Sequence, residues 1–600
     1  MQLARWGRFD EALSGVALAL MVLVPILEIV LRASTGIGVE NASVLVQHLG
    51  LIMTMFGAVA AERYGHLTSL GSSLGQLGNE RTQTLVKSLV QGVSSLLAGL
   101  LALASWRFVV TEIAAPQPLA YGIPIWWVQA SMPLGFLLLG FRLGSRCSSQ
   151  AFLRWPLALV LPLAGWALGA HFDGTPFALA PGVVVLVAML IAGAPVFAVL
   201  GGLSLLLFAG DALPLASVAL SHYQITVNAS LPALPLYTLA GLLLARSGAA
   251  QRLSVLFVTV FGGGVRGSVI AAAVLCSTFT AFTGGSGVTI LALGGLLLPL
   301  LIKAGYSEQR GIGLVTSASA LGVLLAPSVP LILYAVIARV PITDMFLAGL
   351  VPAVLMVLCL LLLGGFLRRD KHAPPATPPD FHGALAAAWA AKWELATPFV
   401  ALGSLLSGLA TPMESAALTA AYALFTQALV HRELGPKTLG RTFSDCAQII
   451  GGVMLILGMA LALTNFMIDA GIPDRAVEWV QSFIPNRYVF LIGLCVFLFF
   501  AAALMEIYAA IVVLVPLLLP LAKAYGIDPI HFGIIFLAAM EVGFLCPPAG
   551  MNIYFASAMF KKPIATIARS VLPAMVAIFA GTLLIALVPP LATGLPNLLR

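Results

Sequence analysis

Three short stretches of this chain hold the residue types that a hard cation or a small anion needs. The first, Thr283-Gly284-Gly285-Ser286-Gly287-Val288-Thr289, sets three glycines among hydroxyl side chains. Glycine lets backbone approach backbone or ligand closely, and the hydroxyls are oxygen donors suited to a hard cation. Small residues also serve helix–helix contacts, so packing stands beside binding as a reading. The other two stretches are Ala326-Pro327-Ser328-Val329-Pro330 and Cys546-Pro547-Pro548-Ala549-Gly550. Proline removes a backbone donor and clashes with the preceding turn, so a helix stops or kinks there. In hydrocarbon the freed carbonyls and amides need partners. One such proline reads as a packing kink. Two at matching places in two repeats point to a transporter's midplane site, where unwound carbonyls hold Na⁺ and helix N-termini attract an anion.

Ionisable residues inside apolar runs are costly and therefore informative. Glu506 lies in Ala503-Leu504-Met505-Glu506-Ile507 and Glu541 in Ala539-Met540-Glu541-Val542-Gly543, each close to a break. Each reads either as a coupling carboxylate that binds a cation or proton, or as a structural one in a polar pocket. Glu414, after Thr411-Pro412-Met413, reads also as a helix cap, because a carboxylate suits a helix N-terminus. The eight histidines show no HExxH spacing, and the six cysteines are scattered with no metal-ligand spacing.

The elements that must carry these residues follow from composition. Of 600 residues, 60% are hydrophobic and only 9% charged. Runs of about 20 apolar residues recur without alternation, which describes a polytopic helical membrane protein and excludes soluble domains and a β-barrel. The net charge of +7 belongs to cytoplasmic loops rather than to a nucleic-acid surface. No GxxxxGK[ST] loop and no large soluble segment are present, so energy does not come from a built-in ATPase. An intramembrane hydrolase would need a nucleophile–base pair or a metal cluster in the spans, and the sequence offers neither.

Residues 1–150 read as a four-span module with spans near 12–31, 45–61, 86–110 and 124–143. The first run exceeds a signal-peptide core and is expected to stay as an anchor. With the N-terminus in the cytoplasm, the inside flanks hold Arg5, Arg8, Arg63, Arg81, Lys87, Arg142, Arg146 and Arg154, and the outside ones only Arg32 and Arg107. A connecting segment, 151–175, carries the apolar run Trp155–Ala170, which either crosses the membrane or lies on it. A crossing is favoured, since it starts the second module on the opposite side. Residues 176–600 are nearly continuous apolar sequence, interrupted by the proline-rich Arg368–Asp380 and by a short interfacial helix over His382–Lys392.

This second module repeats itself. At an ungapped offset of 221 residues, Leu296-Leu297-Leu298-Pro299 falls on Leu517-Leu518-Leu519-Pro520, Gly305 on Gly526, Gly322 on Gly543 and Pro327 on Pro548. Each copy reads as an apolar helix ending at its proline, a Lys- and Gly-containing turn, a second helix and then a break.

At this point the residues resemble a known family. LPALPLYTLAGLLL (231–244), FTGGSGVTILALGGLLLPLLIKAGY (282–306), LGVLLAPSVPLILY (321–334), TPMESAALTAAYAL (411–424) and GIDPIHFGIIFLAAMEVGFLCPPAGMNIYF (526–555) resemble the large membrane subunit of tripartite ATP-independent periplasmic (TRAP) transporters. FGAVAAERYGHLTSL (56–70) and GIPIWWVQASMPLGFLLLGFRL (122–143) resemble its small four-helix subunit, and the order is that of the fused form. The resemblance implies an all-α, inverted-repeat, elevator-type importer with re-entrant hairpins. It implies uptake of a small organic acid, driven by Na⁺ and delivered by a periplasmic substrate-binding protein, in the bacterial inner membrane. The small module would enlarge a fixed scaffold, which makes a monomer the expected state.

Matching the motifs carries the cation site onto Thr283, Gly284, Gly285, Ser286, Thr289, Pro327, Ser328, Glu541, Cys546, Pro547 and Gly550. It carries the substrate site onto Ser286, Gly287, Ser328, Pro548 and Asn552. The chain departs from the family in having Gly285 for a second Ser, Glu541 for a frequent Asn and Cys546 for Thr. Losing two hydroxyls and gaining a carboxylate bears on stoichiometry and opens H⁺ as an alternative to Na⁺. The alternative function is a binding-protein-independent dicarboxylate or Na⁺/H⁺ exchanger of related build, against which the extra four-helix module argues.

Overall fold

The structure, a computed structural model, describes residues 9–65, 67, 80–148, 150–172, 179–262, 264–368, 380–547 and 550–599. Most of the Arg368–Asp380 loop lies outside these residues. Among them, 11 helices are long and apolar enough to cross a membrane, or up to 13 if each of two bent pairs is one span. Helices dominate because a lipid-embedded backbone must satisfy its own hydrogen bonds. The one exception among the described residues is a two-stranded antiparallel ribbon, β1 (Pro118–Ala120) with β2 (Ile123–Pro124).

The chain folds as two compact units, residues 1–235 with 440–475, and 236–439 with 476–600. In the first, α1 (Phe9–Thr35), α2 (Ala42–Tyr64) and α3 (Glu80–Ala114) match the expected spans, each extended by several residues. The fourth expected span is broken into α4 (Ile125–Gln129) and α5 (Ser131–Gly144). Pro133 lies in the first turn of α5, where a missing N–H leaves no hydrogen bond unmade, so the helix restarts there. Ion pairs gather at one end of these helices: Arg63–Glu11 at 2.6 Å, Arg142–Asp10 at 2.8 Å and Arg146–Glu62 at 3.1 Å.

The run Trp155–Ala170 lies within α6 (Ala151–Phe172), a helix of 22 residues spanning about 33 Å, enough to cross a bilayer. It packs backbone to backbone on α3. A Cβ on Gly99 would sit 1.9 Å from the Pro162 carbonyl oxygen, and one on Gly165 2.0 Å from that of Leu96. Then follow α7 (Leu179–Ile191), α8 (Val196–Gly210) and α9 (Ala216–Thr226).

The second unit opens with α10 (Ala233–Ala245) and α11 (Ala249–Phe261), bent by 73°. Next come α12 (Val265–Thr283), α13 (Ser286–Lys303), α14 (Glu308–Ala318), a 3₁₀ turn (Leu321–Leu324), α15 (Val329–Ala338) and α16 (Ile342–Leu363). After α17 (Phe381–Ala390), the expected interfacial segment, come α18 (Lys392–Leu406), α19 (Pro412–Leu424) and a π turn (Phe425–Val430). The 34-residue α20 (Pro436–Asp469), which belongs from residue 440 onward to the first unit, and α21 (Ile472–Phe483) lead to α22 (Arg487–Leu504), α23 (Ile507–Ala524), α24 (Pro529–Gly543), α25 (Met551–Phe560), α26 (Ile564–Leu587) and α27 (Pro590–Leu599).

The duplication is visible in these bounds. Adding 221 to Ser286–Lys303 gives Ile507–Ala524, the bounds of α23. Gly305 and Gly526 both take positive φ, 86° and 68°. Past the second break the register slips by one residue: left-handed Arg339 and Lys561 close α15 and α25, and Pro341 and Pro563 cap α16 and α26. The helices do not end at the matched prolines as expected. Pro299 and Pro520 lie inside α13 and α23, which run on to Lys303 and Ala524. A proline near a helix's last turn deletes one hydrogen bond, and neighbouring helices in a membrane satisfy the freed carbonyl.

Candidate functional site

The first break separates α12 from α13 by two residues. Gly284 caps α12 in the left-handed region at φ 69°, where only glycine is unstrained, and Gly285 is extended. Thr283 and Thr289 come together with Thr280, a residue outside the sequence-derived set. Thr280 Oγ1 donates to Thr289 Oγ1 at 2.7 Å, and Thr283 Oγ1 lies 3.1 Å from the same atom. Thr280 Oγ1 also lies 2.9 Å from the Ser319 carbonyl oxygen. All three threonines are buried. Their signal in the sequence is helical spacing, since 280 and 283 share one face of α12.

Four broken-helix N-termini converge on the segment Gly284–Gly287. Ser286 is itself the first residue of α13, and its Oγ donates to Asn552 Oδ1 at 2.6 Å, in the first turn of α25. Tyr508, in the first turn of α23, donates its hydroxyl to the Gly284 carbonyl at 2.8 Å. Val329, which opens α15, packs so closely that a Cβ on Gly284 would lie 2.8 Å from its Cγ2. Phe555 of α25 covers Gly287, where a Cβ would meet the ring at 2.4 Å. Tyr508, Val329 and Phe555 were beyond sequence reasoning, because they are tertiary neighbours with no local pattern.

The two proline breaks hold themselves together through backbone. The Ala326–Pro327 bond is cis, and the Ser328 hydroxyl, fully buried, donates to the Val323 carbonyl. In the second copy Cys546 N donates to Gly543 O at 3.0 Å and Gly550 N to Cys546 O at 2.7 Å, closing a turn around Pro547. Asn552 N donates to Phe544 O at 3.2 Å, and its side-chain Nδ2 has no partner among the described residues. Pro548 lies outside the described residues.

The three carboxylates part company. Glu506 caps α23, accepting from the backbone N–H of Tyr508 at 3.1 Å and of Ala509 at 3.4 Å. This is a structural assignment, and it lays a negative charge against one of the four N-termini. Glu541 is fully buried near the end of α24, beside the backbone of Leu324, and neither oxygen has a hydrogen-bond partner among the described residues. A carboxylate so placed demands a cation or a proton. Glu414 forms a capping box with Thr411 at the start of α19, accepting from Thr411 N at 2.8 Å. Its expected structural reading, a helix cap, describes it.

Taken together, first-turn residues of half-helices meet at Gly284–Gly287, where helix N-termini favour an anion. The helix ends at Thr283 and Gly543 leave carbonyls, and the hydroxyls around them are hard-cation donors. No group of three or more His, Cys, Asp or Glu occurs among the described residues, so the available donors are oxygen of backbone and hydroxyl type plus Glu541.

A duplicated bundle with paired breaks defines a multi-pass membrane transport permease. The model of the family described as tripartite ATP-independent periplasmic transporter, DctM component, matches residues 183–591, and that of the DctQ component matches 21–153. The chain belongs to the TRAP transporter family, with both membrane components fused, and is a permease rather than an enzyme. It is 31% identical over 398 residues to the C4-dicarboxylate TRAP transporter large permease protein DctM of Pseudomonas aeruginosa, covering 66% of this chain and 92% of that one. It is 30% identical over 406 residues to the isethionate TRAP transporter permease protein DctMQ of Oleidesulfovibrio alaskensis, covering 67% and 63%. It is 30% identical over 380 residues to the sialic acid TRAP transporter large permease protein SiaM of Vibrio cholerae, covering 62% and 87%.

Proposed function

We propose that this chain imports a small organic acid, received from a periplasmic substrate-binding protein, with Na⁺ as the driving ion and an elevator movement of the hairpin-bearing unit. The observation that carries the reading is the convergence of four half-helix N-termini on Gly284–Gly287, bonded across the repeats by Ser286 and Asn552. Four positive helix ends favour a carboxylate, and the C4-dicarboxylate and sialic acid named for the relatives are acids of that class. The cation donors in this reading are the carbonyls and hydroxyls of Thr283, Gly284, Gly285, Ser286, Thr289 and Ser328, with the turn around Cys546, Pro547 and Gly550 serving the second copy.

Glu541 favours a second reading for the ion alone. A buried, unpartnered carboxylate is served by Na⁺ as a ligand or by H⁺ as a titrant. The orientation that fits is N-terminus in the cytoplasm of an inner membrane, supported by the gathering of Arg63, Arg142 and Arg146 at one end of α1, α2 and α5. The large fused scaffold supports a monomer.

Uptake into proteoliposomes tests the whole reading. A panel of labelled organic acids is offered with the purified binding protein under an inward Na⁺ gradient, or under a K⁺ gradient with a pH step. Uptake that needs both the binding protein and Na⁺ is the expected result. Uptake under the pH step alone transfers the coupling to H⁺ and Glu541, and robust uptake without binding protein removes that partner.

A further inference from the structure

We infer that the first unit carries a built site for the phosphate of an anionic membrane lipid, at the end of the bundle where its basic residues gather. A pocket of about 380 Å³ opens there between three helix ends. Its lining comes from the first turns of α3 (Thr84, Lys87, Ser88), the residues after α5 (Ser145, Arg146, Cys147, Ser148) and the start of α6 (Arg154). Two of its three cations are uncompensated. Arg146 is committed to Glu62 at 3.1 Å and to the carbonyls of Glu62 and Arg63 at 2.7 Å each. Lys87 has no acidic partner among the described residues, and Arg154 has only the ring of Trp155, 5.3 Å from its guanidinium carbon. The pocket therefore offers about two net positive charges to an oxyanion, with the hydroxyls of Ser88 and Ser148 beside them.

The surroundings select a lipid over a soluble phosphate. Leu85 and Leu89 on α3 and Phe152 on α6 stand beside the pocket residues in sequence, and all three are strongly exposed, Phe152 at 86%. On a membrane helix such side chains face acyl chains, so a headgroup in the pocket has its tails already accommodated. Trp155 beneath Arg154 is an aromatic of the kind that sits at headgroup level. In the orientation proposed above, the pocket faces the cytoplasmic leaflet, whose anionic lipids attract such basic clusters. The bound lipid would tie α3, α5 and α6 together at a point where no ion pair among the described residues joins α6 to its neighbours.

The test uses the full chain purified in detergent, with phosphatidylglycerol, phosphatidylcholine and inorganic phosphate as probes, read by native mass spectrometry and by thermal unfolding. Phosphatidylglycerol should be retained and should raise the midpoint, while phosphatidylcholine and inorganic phosphate should do neither. Lys87→Ala with Arg154→Gln should weaken retention by roughly 25-fold, about 5-fold for each charge removed. Arg154→Lys, which keeps the charge, should retain the lipid within about twofold, and Arg32→Gln, at the far end of α1, should change nothing. Unfolding in phosphatidylcholine checks that the double variant is folded. Equal retention of both lipids, or undiminished retention by the folded double variant, overturns the proposal. Full competition by millimolar inorganic phosphate overturns the lipid assignment in favour of a soluble phosphate.

Discussion

Replacing Ser286 with Ala perturbs the one side-chain bond that, among the described residues, joins the first hairpin to the segment after the second break. The Ser286 hydroxyl donates to Asn552 Oδ1 at 2.6 Å, Asn552 is 1% exposed, and its Nδ2 already has no partner among the described residues. Ser286→Ala therefore leaves a buried amide with neither end satisfied, a loss of about 1–3 kcal/mol. That energy acts on the equilibrium between the joined and separated arrangement of the hairpin tip. If only the joined arrangement binds, half-saturating Na⁺ and substrate concentrations both rise, by roughly 5- to 150-fold where the tip is mostly joined at the start. The assay is initial uptake in proteoliposomes across a Na⁺ series at fixed loaded binding protein. Asn552→Ala removes the same bond from the other side, so the double variant should be little worse than either single one. An unchanged Na⁺ dependence in Ser286→Ala, or strictly additive effects in the double variant, would refute the assignment of this contact to the transport site.

Three further outcomes follow from the same geometry. Gly284→Ala places a Cβ at φ 69°, 2.8 Å from Val329 Cγ2, so it should lose about 1–2 kcal/mol to the left-handed backbone alone and more to the contact, with uptake falling before the overall fold melts. Glu541→Gln keeps the volume and removes the buried charge. It should leave the unfolding midpoint equal or higher while cutting ion-driven uptake at least tenfold, and a variant with wild-type uptake under both gradients would exclude Glu541 from coupling. Outside the spans, hydrogen bonding from Arg252 at 2.6 Å and from Gly248 N at 2.7 Å holds the Glu433 carboxyl below its usual value of 4.5. Because the folded value is the lower one, this stabilisation is present above about pH 4.5 and is lost as pH falls through the folded value. Glu433→Gln should flatten that acid limb of a thermal unfolding series, and an unaltered limb would place the sensitivity elsewhere.

Much of the second unit was legible because duplication is a long-range signal carried by rare residues. Glycine and proline matches at one offset located both proline breaks, and the bounds of α13 and α23 differ by that same offset. The matches stop short of the helix ends because a proline in a late helical turn leaves helical sequence able to continue, so Pro299 and Pro520 marked register without marking boundaries. The site was half legible. Ser286, Thr283 and Thr289 announced themselves as hydroxyls among glycines, and Asn552 entered through the family resemblance, whereas Tyr508 and Val329 reach Gly284 only through the folded arrangement. Glu506 and Glu414 look alike in sequence, as carboxylates beside apolar runs. Both are helix caps, and what separates Glu541 from them is burial late in a helix, away from the helix's own N-terminus and beside the backbone of Leu324, a property no local pattern carries.

If an anion and a cation bind at this hairpin tip as proposed, the arrangement also sets how the two depend on each other. Each of the four N-termini presents about half a positive charge, roughly two in all, and the Glu506 carboxylate offsets about half of that. In the proposed reading, a cation entering next to these ends is repelled until an anion is present, and the anion is held only by dipoles until the cation joins it. Each ligand therefore lowers the cost of binding the other, and by linkage the factor is the same in both directions. A coupling of about 1–3 kcal/mol, or roughly 5- to 150-fold, is the usual range for two linked sites. Calorimetric titration of the detergent-purified permease with substrate, with and without Na⁺, and with Na⁺, with and without substrate, should return equal factors. Independent affinities would mean that the anion and the cation do not meet at this hairpin tip, and the convergence of helix ends would then be a feature of packing alone.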